Sequence, residues 1–142
     1  MIRFRWPKAA VNGRVSDDGL VIVLRGAPGA THQARRAIDM MVPGLPRSVV
    51  GPLELLTSEL VDNCVKHGNA GSDGHVRLDV STPDGVVRVT VTDYGSGFET
   101  RQPVRDPHGV DGFGLLIVDC LAKRWGVTRG GRSVWFEIER RV

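Results

Sequence analysis

Apolar and polar positions divide the chain into a few elements of distinct period. The run "GLVIVLRG" (19–26) has the length of a buried strand. "ATHQARRAIDMM" (30–41) reads as a helix that Pro43, Gly44 and Pro46 bring to an end. A second helix is expected from about Pro52 to His67, stopped by Gly68 in the turn-rich "HGNAGSDG". "HVRLDVS" and "GVVRVTVTD" alternate apolar and polar residues as half-buried strands, with "TPDG" as the hairpin turn between them. From Gly95 to about Val110 there are two prolines, three glycines and no apolar period, which reads as a long loop of the functional or disordered kind. "GFGLLIVDCLAKRWG" is expected as a third helix and "SVWFEIE" as a last strand, with Val134, Phe136 and Ile138 on one face. These elements imply an α+β fold, a two-layer sandwich in which one sheet is covered on one face by helices.

Composition narrows the class without changing that picture. The 142 residues are 41% apolar and 25% charged, which fits one globular domain spanning 1–142 with its own core. No repeat, low-complexity segment or linker divides it. No apolar run approaches the roughly 20 residues that cross a bilayer, and "MIRFRWPKAA" has no continuous apolar segment before a cleavage site, so a cytoplasmic protein is expected. Cys64 and Cys120 each sit in an apolar helical pattern with no second Cys or His at metal-ligand spacing, and are read as buried, reduced thiols. The net charge of +3 is modest and its basic residues are scattered along the chain, which argues against direct nucleic-acid binding.

Three placements of polar residues and glycines depart from plain core patterning. In "ELVDNCVKH" (59–67), Glu59, Asn63 and His67 are four residues apart and form one slanted row, since each step of four advances about 40° around a helix. Leu56 and Leu60 flank that row, and Leu53, Val61, Cys64 and Val65 continue the apolar arc. Polar groups at the edge of a buried face need partners, from the protein or from a ligand. A boundary helix bonding to nearby backbone is the alternative. In "GVVRVTVTD" the period of two puts Asp93 on the same face as Val87, Val89 and Val91, and "YGSG" follows with Gly95 and Gly97, which permit close approaches a side chain would block. That carboxylate either caps a turn or accepts a hydrogen bond from a ligand amino group. In "DGFGLLIVD", Gly112 and Gly114 lead into a helix carrying Leu115, Val118, Leu121 and Ala122, as a turn or as an anion site built from backbone N–H groups. It is not the dinucleotide fingerprint, because Ile117 stands at the third glycine position, and there is no Walker A sequence.

In this order, "ELVDNCVKH", "DYGSG" and "GFGLLIV" resemble the N box and the two glycine boxes of the GHKL ATPase superfamily, which includes gyrase and the histidine kinases. The wording "ELVDNCVKHG" and the ending "LAKRWGVTRGGRSVWFEI" are most similar to the bacterial anti-sigma regulatory factors with serine/threonine kinase activity. The resemblance covers about residues 20–142; residues 1–19 are poorly matched and are read as an extra edge strand or a dimer contact.

The resemblance implies a Bergerat-type ATP-binding fold with a mixed, mostly antiparallel sheet. It implies ATP and Mg²⁺ as cofactors, with Asn63 as the magnesium-binding asparagine and Glu59 as the acid that activates the attacking hydroxyl. Asp93 corresponds to the aspartate that bonds the adenine amino group, with Gly95 and Gly97 making room for the base. Gly112 and Gly114, with the adjoining Leu115, correspond to the phosphate-holding helix start, and Arg101, Arg105 and His108 fall in the mobile ATP lid. Ser133 stands where the last box often has a threonine, near the adenine side, and His67 matches a frequent histidine, read as packing on the nucleotide or as a helix-end hydrogen bonder. The implied activity is that of an anti-sigma factor that binds a sigma factor and phosphorylates a serine of an anti-anti-sigma (STAS-type) partner. A nucleotide-dependent binding switch without phosphotransfer and the catalytic domain of a split histidine kinase are the alternatives.

Overall fold

The computed structural model describes residues 10–16, 19–25, 29–65, 74–93, 117–128 and 133–140. The elements are β1 (Ala10–Ser16), β2 (Gly19–Arg25), α1 (Ala30–Met41), α2 (Arg47–Asn63), β3 (His75–Ser81), β4 (Val86–Asp93), β5 (Arg124–Thr128) and β6 (Ser133–Glu139). The strands form one sheet in the order β1-β2-β3-β4-β6-β5. Every pairing among the described strands is antiparallel, so the parallel part of a mixed sheet is not seen among them. The fold is the expected α+β sandwich, with α1 against β2 and β3 and α2 against β4 and β6.

Alternation decides which face meets the helices. Leu20, Ile22 and Leu24 of β2, Val76, Leu78 and Val80 of β3, Val87, Val89 and Val91 of β4, and Val134 and Phe136 of β6 are buried together. Their neighbours in sequence point to the other face, left uncovered by the described helices. The helices complete the core with Ala34, Ala37 and Ile38 from α1 and Leu53, Leu56, Leu60 and Val61 from α2. Alanines on the inner side of α1 allow it to lie close to the sheet. Between the helices, Glu54 hydrogen-bonds Asp39. That bond, partial burial and the negative charge of Asp39 raise the Glu54 pKa above the usual glutamate value, against the opposing pull of Arg35 and Arg47.

The β3–β4 connection shows how local sequence sets register. Asp84 (φ 26°) and Gly85 (φ 81°) both have positive φ, and the Val86 N–H donates to the Pro83 carbonyl at 2.9 Å. This is the two-residue turn that an Asp-Gly pair favours, because its twist matches that of the flanking strands.

Three expectations change. The helix expected over 112–126 ends early: among the described residues 117–121 are helical, and Arg124–Thr128 is a strand on β6. Trp125 and Val127 alternate toward the core side there, while Gly126 lies under the Trp135 ring, where an added Cβ would come within 2.8 Å of Nε1. Helix α2 starts at Arg47, with Val49 and Val50 donating to the Pro46 carbonyl, and it takes Pro52 into its body at the expense of one backbone hydrogen bond. Of the two thiols, Cys64 is buried as expected but Cys120 is exposed. The N-terminal region supplies β1, the extra edge strand, paired with β2.

Candidate nucleotide site

The connections bring two buried polar side chains to one end of the sandwich. β2 ends at Arg25 beside His75, the first residue of β3, and α1 starts soon after. The short link from Met41 to Arg47 makes α2 return antiparallel to α1, so Asn63 ends α2 at the end where α1 began. Asp93 ends β4 at that same end, paired with Val76 of β3. Asn63 is 6% exposed and Asp93 is fully buried, both on the helix-covered side of the sheet. Glu59 lies one turn before Asn63 and is half-buried. Directly before it, the buried Ser58 hydroxyl has no hydrogen-bond partner among the described residues, whereas the neighbouring Thr57 hydroxyl donates to the Leu53 carbonyl at 2.8 Å. Ser58 was not singled out from the sequence, where nothing distinguishes it from a surface serine.

Ser133 is the first residue of β6. It pairs with Thr92, and the two hydroxyls are 2.8 Å apart and buried. Since Thr92 and Asp93 are consecutive in a strand, Ser133 and Thr92 share the sheet face opposite Asp93. Thr92 could have been found from the alternation of β4, which puts a hydroxyl beside the aspartate on the other face. His67, Gly95, Gly97, Arg101, Arg105, His108, Gly112, Gly114 and Leu115 lie outside the described residues. Beyond that segment, Val118 is fully buried and Ile117 packs on the core; the Trp125 Nε1–H donates to Asp119 at 2.8 Å, tying these helical residues to β5.

Chemically, the described part of the site offers one amide and two carboxylates on the helix-covered side. A carboxylate buried at the end of a valine row can select a donor, such as a base amino group. An amide oxygen suits a hard cation whose other ligands are phosphates and water, because magnesium is usually held by only one or two protein oxygens plus the substrate. The residues present therefore fit ATP with Mg²⁺. Among the described residues no three or more His, Cys, Asp or Glu side chains gather into a self-sufficient metal site.

The described fold is thus a two-layer antiparallel sandwich with these polar groups at one end of its helix-covered face. The model of the histidine kinase-like ATPase domain matches residues 24–138, and the chain belongs to that family. ATP binding, usually with Mg²⁺, is the property that membership carries. No curated protein matches the chain. No helix among the described residues is long and apolar enough to cross a membrane.

Proposed function

We propose that this domain is an ATP- and magnesium-dependent anti-sigma factor of the cytoplasm that binds a sigma factor and phosphorylates a serine of an anti-anti-sigma partner. The observation that carries the reading is the Glu59–Asn63 pair on α2, with Asn63 buried at the same end as Asp93 in a domain of the histidine kinase-like ATPase family. Asn63 would hold Mg²⁺, Asp93 the adenine amino group, and the glycines from Gly95 to Gly114, with Arg101 and Arg105 between them, the base and phosphates. ATP supplies the transferable phosphoryl group, and Mg²⁺ neutralises its charge. Glu59 has one task of its own, to take the proton from the partner's serine hydroxyl as the oxygen attacks. Phosphoryl transfer depends on positioning and charge neutralisation, so this small set suffices.

Two variants separate binding from chemistry. Asn63→Ala should weaken Mg·ATP binding, and with it both transfer and nucleotide-dependent partner affinity. Glu59→Gln should keep ATP and sigma-factor binding while phosphate incorporation into the partner falls by about 10² to 10⁴, the usual contribution of a general base. Calorimetry and labelled-phosphate transfer on both variants and wild type make the test. Transfer at the wild-type rate in Glu59→Gln removes Glu59 from this role. A wild-type protein that binds ATP yet phosphorylates no cognate partner is a nucleotide-dependent switch.

A further inference from the structure

The face of the sheet turned away from the helices gathers charge that is scattered in the sequence. The strand positions facing that side hold Arg14, Arg25, Arg77, Arg88 and Arg124 against Asp79, Glu137 and Glu139. Five arginines against three acids leave an excess of two positive charges, where the whole chain carries +3. Two of the acids are covered by arginines: Asp79 by Arg77 at 3.0 Å, and Glu137, only 3% exposed, by Arg124 at 2.7 Å. The Arg88 guanidinium stacks 4.3 Å from the centre of the Trp135 ring and is 3.9 Å from Glu137, beyond hydrogen-bond reach. Toward the β1 edge, Gly13, Arg14, Val21, Val23 and Arg77 line a groove of about 390 Å³. Its floor is two half-buried valines and its walls are arginines.

We propose that this uncovered face docks an acidic segment of a partner protein that carries apolar side chains between its carboxylates. The apolar residues lie on Val21 and Val23, and the carboxylates meet Arg14, Arg25 and Arg88. A second copy of this chain fits less well, because two like faces would each bring an excess of two positive charges. A nucleic-acid backbone does not fit either, since Asp79, Glu137 and Glu139 interrupt the basic rows that a continuous line of phosphates would follow. The surface lies across the sheet from Asp93, so it is independent of the nucleotide reading.

The test uses the full chain, ¹⁵N-labelled, titrated with a short peptide of alternating glutamate and leucine pairs, its lysine counterpart, and a single-stranded oligodeoxynucleotide. The acidic peptide should shift amides of β1, β2 and β3 around Val21 and Val23. Its affinity should fall by roughly tenfold or more in the double variant Arg14→Glu with Arg25→Glu, as expected when like charges are brought together, and change little in Arg36→Glu on α1. An unchanged dispersion of the double variant's spectrum shows that it is folded. Equal binding of the acidic and lysine peptides, shifts confined to the helices, no shifts at all, or tighter binding of the oligonucleotide would each overturn the proposal.

Discussion

The two faces of β4 follow different rules. On the uncovered face Arg77 of β3 pairs with Asp79, Arg88 of β4 approaches Glu137 of β6 at 3.9 Å, and Thr92 shares a hydroxyl contact with Ser133. Most of the acids there have partners within the sheet, while Arg14 and Arg25 are exposed. On the covered face Val87, Val89 and Val91 are fully buried in the core, and the row ends in an equally buried carboxylate, Asp93. Charge on the first face costs little, because water and arginines are at hand. A carboxylate buried on the second face costs desolvation that hydrogen bonds must offset.

The largest effect that probes this contrast is in the core itself. Phe136→Ala, at a fully buried position on the inner face, should lower stability by about 3 to 5 kcal/mol in urea unfolding, the cost of emptying an aromatic site. A loss near that of a surface substitution would mean that the inner face is not the core. Next comes one chemical change made on each face. Asp93→Asn should weaken ATP by about 1 to 3 kcal/mol, the cost of a disturbed buried hydrogen bond. GTP, which offers a carbonyl where ATP has the amino group, should bind poorly to the wild type. Glu137→Gln should do the reverse, lowering stability by about 1 kcal/mol, because the mostly exposed Arg124 returns to water, while ATP affinity stays the same. Calorimetry and thermal unfolding of both variants decide it, and equal effects of the two substitutions on ATP affinity would erase the distinction.

The smallest effect concerns pH. Glu54 has a raised pKa in the folded state, so the native protein holds that proton more tightly than the unfolded chain. The Asp39–Glu54 contact therefore stabilises fully below the ordinary glutamate value of 4.5 and is lost as pH rises through the higher folded value. Glu54→Gln should accordingly be slightly more stable than wild type near neutral pH and lose that advantage in acid. A constant difference across the range would show that the two carboxyl groups are not coupled.

Legibility of the sequence followed how local each signal was. Helix α1 and strands β3 and β6 were readable to the residue, because alternation, helical period and flanking Gly and Pro all agree there. The "TPDG" turn was readable for the same reason. β5 was not, since "RWGVT" follows a helical stretch with no turn residue before it, and its strand state comes from pairing with β6, a contact distant in sequence. Proline is favoured at the first helical position, which makes about Pro52 read as a helix start; the helix accommodates it further along. Asn63 and Asp93 stood out as polar residues in apolar rows, and both are buried. The face on which Ser133 lies depends on its register with Thr92, which periodicity within one strand cannot supply.

The bond between Thr92 and Ser133 spans 41 positions of sequence, and it fastens the two strands from which a long excursion of chain departs and to which it returns. β2 and β3 enclose α1 and α2 in the same way. Both stretches that carry the proposed nucleotide contacts are thus inserted between strands already zipped to each other. Each doubling of such an insert costs only about 0.6 kcal/mol in closure entropy. Changes of length within either excursion that spare its core residues and β5 leave the strand pairing intact, so this architecture can change what it recognises while its scaffold stays fixed.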